Sequence, residues 1–155
     1  MPKKTTATKA YQAGLQVRRA VLGRAYVDNA IANADEFSRP LQEFVTEYCW
    51  GGVWTRPHLT RKMRSLLNLG ILTAINRPHE VEIHLRGARR NGCSWDEIRE
   101  VLLHAGVYCG VPSAVDSFRI ARKVKADEEA EAGAALPAPR AKRAVKGKAK
   151  AKAKK

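Results

Sequence analysis

The stretch TRKMRSLLNLGILTAINRPHEVEIHLRGARRNG, Thr60 to Gly92, decides the fold. Thr60 can accept a backbone N–H at a helix start, and the apolar residues from Met63 to Ile75 run nearly all round, which predicts a central helix. Pro78 restarts the chain into a second helix that Gly92 ends. The same reasoning extends outward. Residues 10–23 have Leu15, Arg18, Arg19 and Leu22 at helical spacing before Gly23, and Tyr26, Val27, Ala30, Ile31 and Ala34 form a one-sided stripe. FSRPLQEFVTEYCWGG, Phe37 to Gly52, predicts a third helix with Ser38 as N-cap, Pro40 in its first turn, an apolar face of Leu41, Phe44, Val45 and Tyr48, and a stop at Gly51 and Gly52. VWTRPHLT, 53–60, reads as a loop. Ser94 with Glu97 predicts a capping box, and beyond Gly110 and Pro112 a last helix is striped by Val115, Phe118, Ala121 and Val124. No stretch alternates as a half-buried strand should. The fold class is all-α, a single domain of about six to seven helices.

The formal charge of +14 over 155 residues suggests a nucleic-acid partner until it is located. From Arg140 to Lys155 there are nine Lys or Arg and no acid, whereas residues 10–126 hold 17 basic and 11 acidic side chains. The division expected is a flexible stretch 1–9, a helical domain 10–126, and a disordered Lys/Ala-rich tail 127–155 that has too few apolar groups to order itself. Cys49, Cys93 and Cys109 lie far apart without a C-x-x-C pair, which fits a reducing cytoplasm. No apolar run is long enough for a membrane span, and MPKKTTATKAYQAG lacks the apolar centre of a signal peptide.

Two histidines and two glutamates crowd into residues 79–84. A metal reading fails on spacing. His79 and His84 are five apart, which turns one imidazole about 140° from the other on a helix, and Ile83 fills the position a second ligand needs. Glu80 and His84 are instead an i,i+4 pair suited to orienting an imidazole for proton transfer. From pattern alone His84 also reads as a packed or surface histidine and Glu80 as a first-turn acid. His79 and His58 have no pattern that selects them, and His104 falls in a buried-looking stripe as a core histidine. Cys49 and Cys109 read as small buried groups.

From Tyr11 to Val124 the chain carries GLQVRRAVLG, TEYCWG, W-x-R-P, R-S-L-L, H-E-x-x-x-H-x-R-G-A, N-G and Y-C-G-V-P-x-A, in that order. In these motifs it closely resembles the carboxymuconolactone decarboxylase family. The resemblance implies an all-helical fold shared with alkylhydroperoxidase-D-like proteins and a homo-oligomer, a hexamer. In the peroxidase relatives a C-x-x-C and a histidine form a thiol relay. With that histidine set on His84, Arg77 and Glu80 stand where the thiols would be and Ser65 where the upstream acid would be, so disulfide chemistry at that site is excluded by residue type.

The activity implied is decarboxylation of 4-carboxymuconolactone to the β-ketoadipate enol-lactone in protocatechuate catabolism. Loss of CO2 leaves electrons that delocalise into the lactone carbonyl, so the expected cofactor requirement is none and no metal is needed. The catalytic candidates are His84, with Glu80 to orient it, and Glu47 as a second acid or partner. Arg64, Arg56 and Arg86 are candidates for the substrate carboxylates because a guanidinium matches two carboxylate oxygens, and Trp50 and Trp54 for walling the pocket. Glu47, Tyr48, Trp50 and Arg64 also admit readings as interface or helix-surface residues. The rival class is a nucleic-acid-associated protein whose tail contacts phosphates without reading sequence; no helix-turn-helix or interleaved aromatics support it.

Overall fold

The structure is a computed structural model that describes residues 7–135. Its order is α1 (Lys9–Leu22), α2 (Arg24–Ala32), α3 (Arg39–Phe44) continuing into a π-helical segment (Val45–Val53), α4 (Arg61–Ala74), α5 (Pro78–Arg90), α6 (Trp95–Cys109) and α7 (Val111–Ala135). Seven helices and no strand make up the described residues, as the sequence predicts. The boundaries follow local chemistry. Thr8 and Thr60 accept from Tyr11 N and Met63 N at the starts of α1 and α4, each cap contributing about 1 kcal/mol. Ser94 and Glu97 close the capping box of α6. Gly23, at φ 93°, lets α1 end and α2 begin across one residue.

Two apolar clusters form the interior. Leu69 of α4, Val81 and Leu85 of α5, Leu102 of α6 and Val124 of α7 build the first. Val17 and Val21 of α1, Val27 of α2, Trp50 and Trp54 build the second, and Ile83 of α5 packs against it. Helix α5 therefore joins both. Its Arg90 also donates to Val21 O and Leu22 O, at 3.3 and 3.2 Å, and so satisfies carbonyls at the C-terminal end of α1.

The third helix departs from expectation. Ser38 makes no side-chain cap and instead donates to Asp35 Oδ1 at 2.6 Å. Gly51 and Gly52 do not stop the helix, because the backbone widens to i→i−5 pairing, seen in Trp54 N to Cys49 O at 3.1 Å, and runs through both. The use of Gly51 is close approach. A Cβ on Gly14 of α1 would stand 2.6 Å from Gly51 N and collide with Thr46 O, and one on Gly51 would collide with the Ala10 carbonyl. Backbone meets backbone here.

Other faces differ too. Leu41, Phe44 and Tyr48, expected to be buried, are exposed, and so are Met63, Leu67, Ile71 and Ile75 of the helix expected to be central. α4 packs through Ser65, Leu69 and Thr73 and leaves its opposite side uncovered within one chain. His104 lies on an exposed face of α6 beside Tyr108, and Cys49 and Cys109 are exposed; only Cys93 is buried. Finally, α7 does not yield to a tail at residue 127: Asp127 and Glu128 pair with Arg86 and Arg89 of α5 at 2.6 and 3.0 Å, and the helix continues to Ala135. Residues 1–6 and 136–155, including the basic run from Arg140, lie outside the described residues. No described helix is long and apolar enough to cross a membrane.

Gly14→Ala or Gly51→Ala is expected to lower unfolding stability by about 1–3 kcal/mol through overpacking, whereas Gly133→Ala, with nothing within 4 Å of the added carbon, should be neutral or mildly stabilising. Urea denaturation checks this; equal stability of all three variants would mean that the helix backbones do not touch.

Candidate active site

His84 stands half-buried on α5 with its ring parallel to that of Trp50, centroids 6.5 Å apart and 5° between planes. Trp50 in turn lies against Trp54, 4.6 Å away at 32°. This Trp54–Trp50–His84 series depends on the widened backbone of residues 45–53, which turns both indoles inward, and on the glycine contact that seats that segment against α1. Burial lowers the pKa of His84 below its ordinary 6.5, and the Glu80 charge only partly opposes this. The resting imidazole is neutral at neutral pH. Its Nδ1 is shut off from solvent and has no hydrogen-bond partner, an unusual cost for a buried polar atom.

The remaining candidates separate. Glu80 is exposed one turn before His84, whose Nδ1 has no hydrogen-bond partner among the described residues, and its influence on the imidazole is through charge. Glu47 faces the start of α1, where it accepts from Thr8 Oγ1 at 2.8 Å, and it makes no hydrogen bond to His84. Arg86 is two residues beyond His84 and so points about 200° round the helix, where Asp127 at 2.6 Å and Glu82 at 3.6 Å hold it and raise its pKa. Its charge is thus already matched within the chain.

Arg64 is half-buried at the start of α4, with Nη2 donating to Arg56 O at 3.1 Å and Nε buried without a partner. Arg56 contributes its carbonyl to this contact, and its side chain is exposed. The bond ties α4 to the loop directly after Trp54. Ser65, at the position of the relatives' acid, is buried and accepts from Asn91 Nδ2 at 2.9 Å. His79 and His58 are exposed. Among the described residues no three His, Cys, Asp or Glu side chains gather in a way that could hold a metal.

A groove of about 600 Å³ runs between α4 and α6, lined by Leu66, Leu67, Ile71, Val101, His104 and Tyr108. No predicted site residue lines it. One residue near the His84 elements was not among the site candidates: Arg18 of α1 is buried and donates to Thr46 Oγ1 and Gln42 Oε1. Its signal was its place between Leu15 and Leu22 on an otherwise apolar helix face.

Residues 39–123 match the carboxymuconolactone decarboxylase family, and the elements that bear Trp50, Arg64 and His84 all fall inside that match. The chain belongs to this family. It is 38% identical over 117 residues to the 4-carboxymuconolactone decarboxylase of Acinetobacter baylyi, covering 76% of this chain and 87% of that protein. It is 49% identical over 113 residues to the nitrosuccinic acid decarboxylase of Metarhizium robertsii, covering 73% of this chain and 79% of that protein. A shorter match, 46% over 41 residues, joins it to a 4-carboxymuconolactone decarboxylase of Pseudomonas putida, with 26% of this chain and 85% of that sequence covered. Decarboxylation is what these relatives of the family have in common.

The lowered His84 pKa has a stability consequence. Because the folded value lies below 6.5, the unfolded chain binds more protons as pH falls through 6.5. This group's contribution is therefore whole above that pH and is lost on the acid side. Between about pH 7.5 and 5.5 the Tm of the protein is expected to fall more than that of His84→Gln, as measured by thermal denaturation; parallel curves would mean that His84 titrates normally.

Proposed function

We propose that this protein catalyses the cofactor-free decarboxylation of 4-carboxymuconolactone to its enol-lactone. The observation that carries the reading is His84, a neutral, half-buried imidazole backed by Trp50, with one ring nitrogen lacking any partner. In the proposed step the bond between the γ-carbon and its carboxylate breaks, and the electron pair passes through the ring alkene to the carbonyl oxygen of the lactone. CO2 departs, and the dienolate takes a proton at the α-carbon. Two substrate carboxylates near His84 would oppose the effect of burial and raise its pKa, so the imidazole gains a proton on binding and gives it to carbon. Solvent then restores it. Arg64 holds a carboxylate: its planar donors suit one, and no acid pairs with it among the described residues. Arg56, exposed after Trp54, is the second choice, and Glu80 influences His84 through its charge.

The 49% identity to a nitrosuccinic acid decarboxylase supports a second reading, in which nitrosuccinic acid is the substrate. The chemistry is parallel. That molecule is also a dicarboxylate, and loss of the carboxylate beside the nitro group leaves a nitronate, again an oxygen-centred sink within the substrate. The uncovered apolar faces of α4, α6 and α7, with Ile71, Val107 and Val115 exposed, support assembly of several copies, for which the resemblance implies six.

The test follows absorbance loss of the lactone together with CO2 release, with nitrosuccinate assayed in parallel. Turnover of the lactone is expected, falling about a hundredfold or more in His84→Gln. In Arg64→Met the KM should rise about tenfold with a smaller change in kcat. Turnover of nitrosuccinate alone selects the second reading, and turnover of neither overturns both.

A further inference from the structure

Arg18 is 94% buried, at 6% relative exposure, and among the described residues it forms no ion pair. Burial accordingly works against its charge. Burying a cation without an ion pair is costly, and hydrogen bonds to neutral groups offset part of that cost. Its Nη1 donates to Thr46 Oγ1 at 2.9 Å and its Nη2 to Gln42 Oε1 at 2.8 Å, while the Thr46 hydroxyl donates to Gln42 O at 2.7 Å. The three residues thus close a ring of hydrogen bonds. Thr46 is fully buried, and the ring spans the place where α3 gives way to the π-helical segment. One turn earlier on α1, Gly14 presses against Thr46 O and Gly51 N. Four residues after Thr46 comes Trp50, the ring parallel to His84.

We propose that Arg18 is a positioning residue: by holding Thr46 and Gln42 in one register it fixes the rotation of residues 45–53, and so the placement of Trp50 against His84. Arg18 does not touch the substrate. The inference rests on the assignment of His84 as the proton donor for its kinetic consequence, although the geometry it describes exists without substrate. Lysine is not an adequate substitute, since a single ammonium cannot reproduce the fork that reaches two acceptors at once. A hydroxyl at position 46 is required, because it both accepts from Arg18 and donates to Gln42 O.

The experiment pairs kinetics with tryptophan emission in the absence of substrate. Protonation of a neighbouring imidazole quenches indole fluorescence, so the emission should change with pH as His84 titrates, and Trp50→Phe and His84→Gln identify that component against Trp54 and Trp95. Arg18→Met, Arg18→Lys and Thr46→Val are expected to remove or shift this component. They should also lower kcat by roughly ten- to a hundredfold with KM changed by less than about threefold, because the donor is misplaced while substrate contacts remain. Thr46→Ser, which keeps the hydroxyl, should restore both readouts relative to Thr46→Val. If Arg18→Met is too unstable to purify, the comparison of Thr46→Val with Thr46→Ser decides the matter by itself. Variants that lose stability yet keep both the wild-type emission titration and kcat would overturn the proposal and leave Arg18 a support of the core alone. If the wild type decarboxylates neither substrate but the emission component still depends on Arg18, the assigned reaction fails and the positioning role stands.

Discussion

The contact between the backbones of α1 and the π-helical segment is the constraint on which the rest of the molecule depends. It requires the absence of side chains at Gly14 and Gly51, and its effect reaches well past those residues. With α1 drawn in, Val17 and Val21 enclose the indoles of Trp50 and Trp54, and the carbonyls at the end of α1 come within reach of Arg90. Helix α5 is then fixed from two sides. Its Val81 and Leu85 lie in one cluster and its Ile83 against the other, so His84 falls at the seam between them.

The charges around that seam are distributed unevenly. Asp127 and Glu128 neutralise Arg86 and Arg89 on the far face of α5, whereas Arg18 and Arg64 have only neutral partners among the described residues. Those two guanidiniums thus keep charge that no carboxylate offsets among the described residues. In the proposed reaction a dianionic substrate would meet the Arg64 cation, and its charge would oppose the lowering of the His84 pKa by burial. The chain therefore needs little chemical equipment of its own if the substrate supplies the electron sink.

Most helices were legible because their ends are written in single residues: Thr60, Gly23, Gly110, and Ser94 with Glu97. Helix faces were less legible. The apolar residues of α4 run nearly all round it, but that pattern does not say whether each face meets the same chain or nothing within it, and Met63, Leu67 and Ile71 are uncovered here. The third helix was misread because glycine ordinarily signals a stop, and a glycine needed for close packing, as Gly51 is, looks identical in sequence. In the site, the motifs selected His84, Trp50, Trp54 and Arg64, all of which the structure holds on adjoining elements. The i,i+4 rule placed Glu80 near His84 but could not reveal that it stays in solvent, and nothing local shows that Arg86 is matched by Asp127, 41 residues later. Arg18 was noticed as part of a helical pattern, yet its burial is a tertiary fact.

The π-helical segment also bears on how this sequence can vary. Where the ladder widens to i→i−5, the chain carries one more residue in the turn than an ordinary helix would hold. Removing one position between Gln42 and Cys49 would take away the residue that the wide turn accommodates, so the stretch would close toward a plain α-helix and the widened backbone that turns the indoles inward would be lost. The Trp50 indole would then no longer lie over the imidazole, and Gly51 would surrender its place against Ala10. Lineages descended from this chain can therefore exchange many side chains in that segment but have little freedom to change its length.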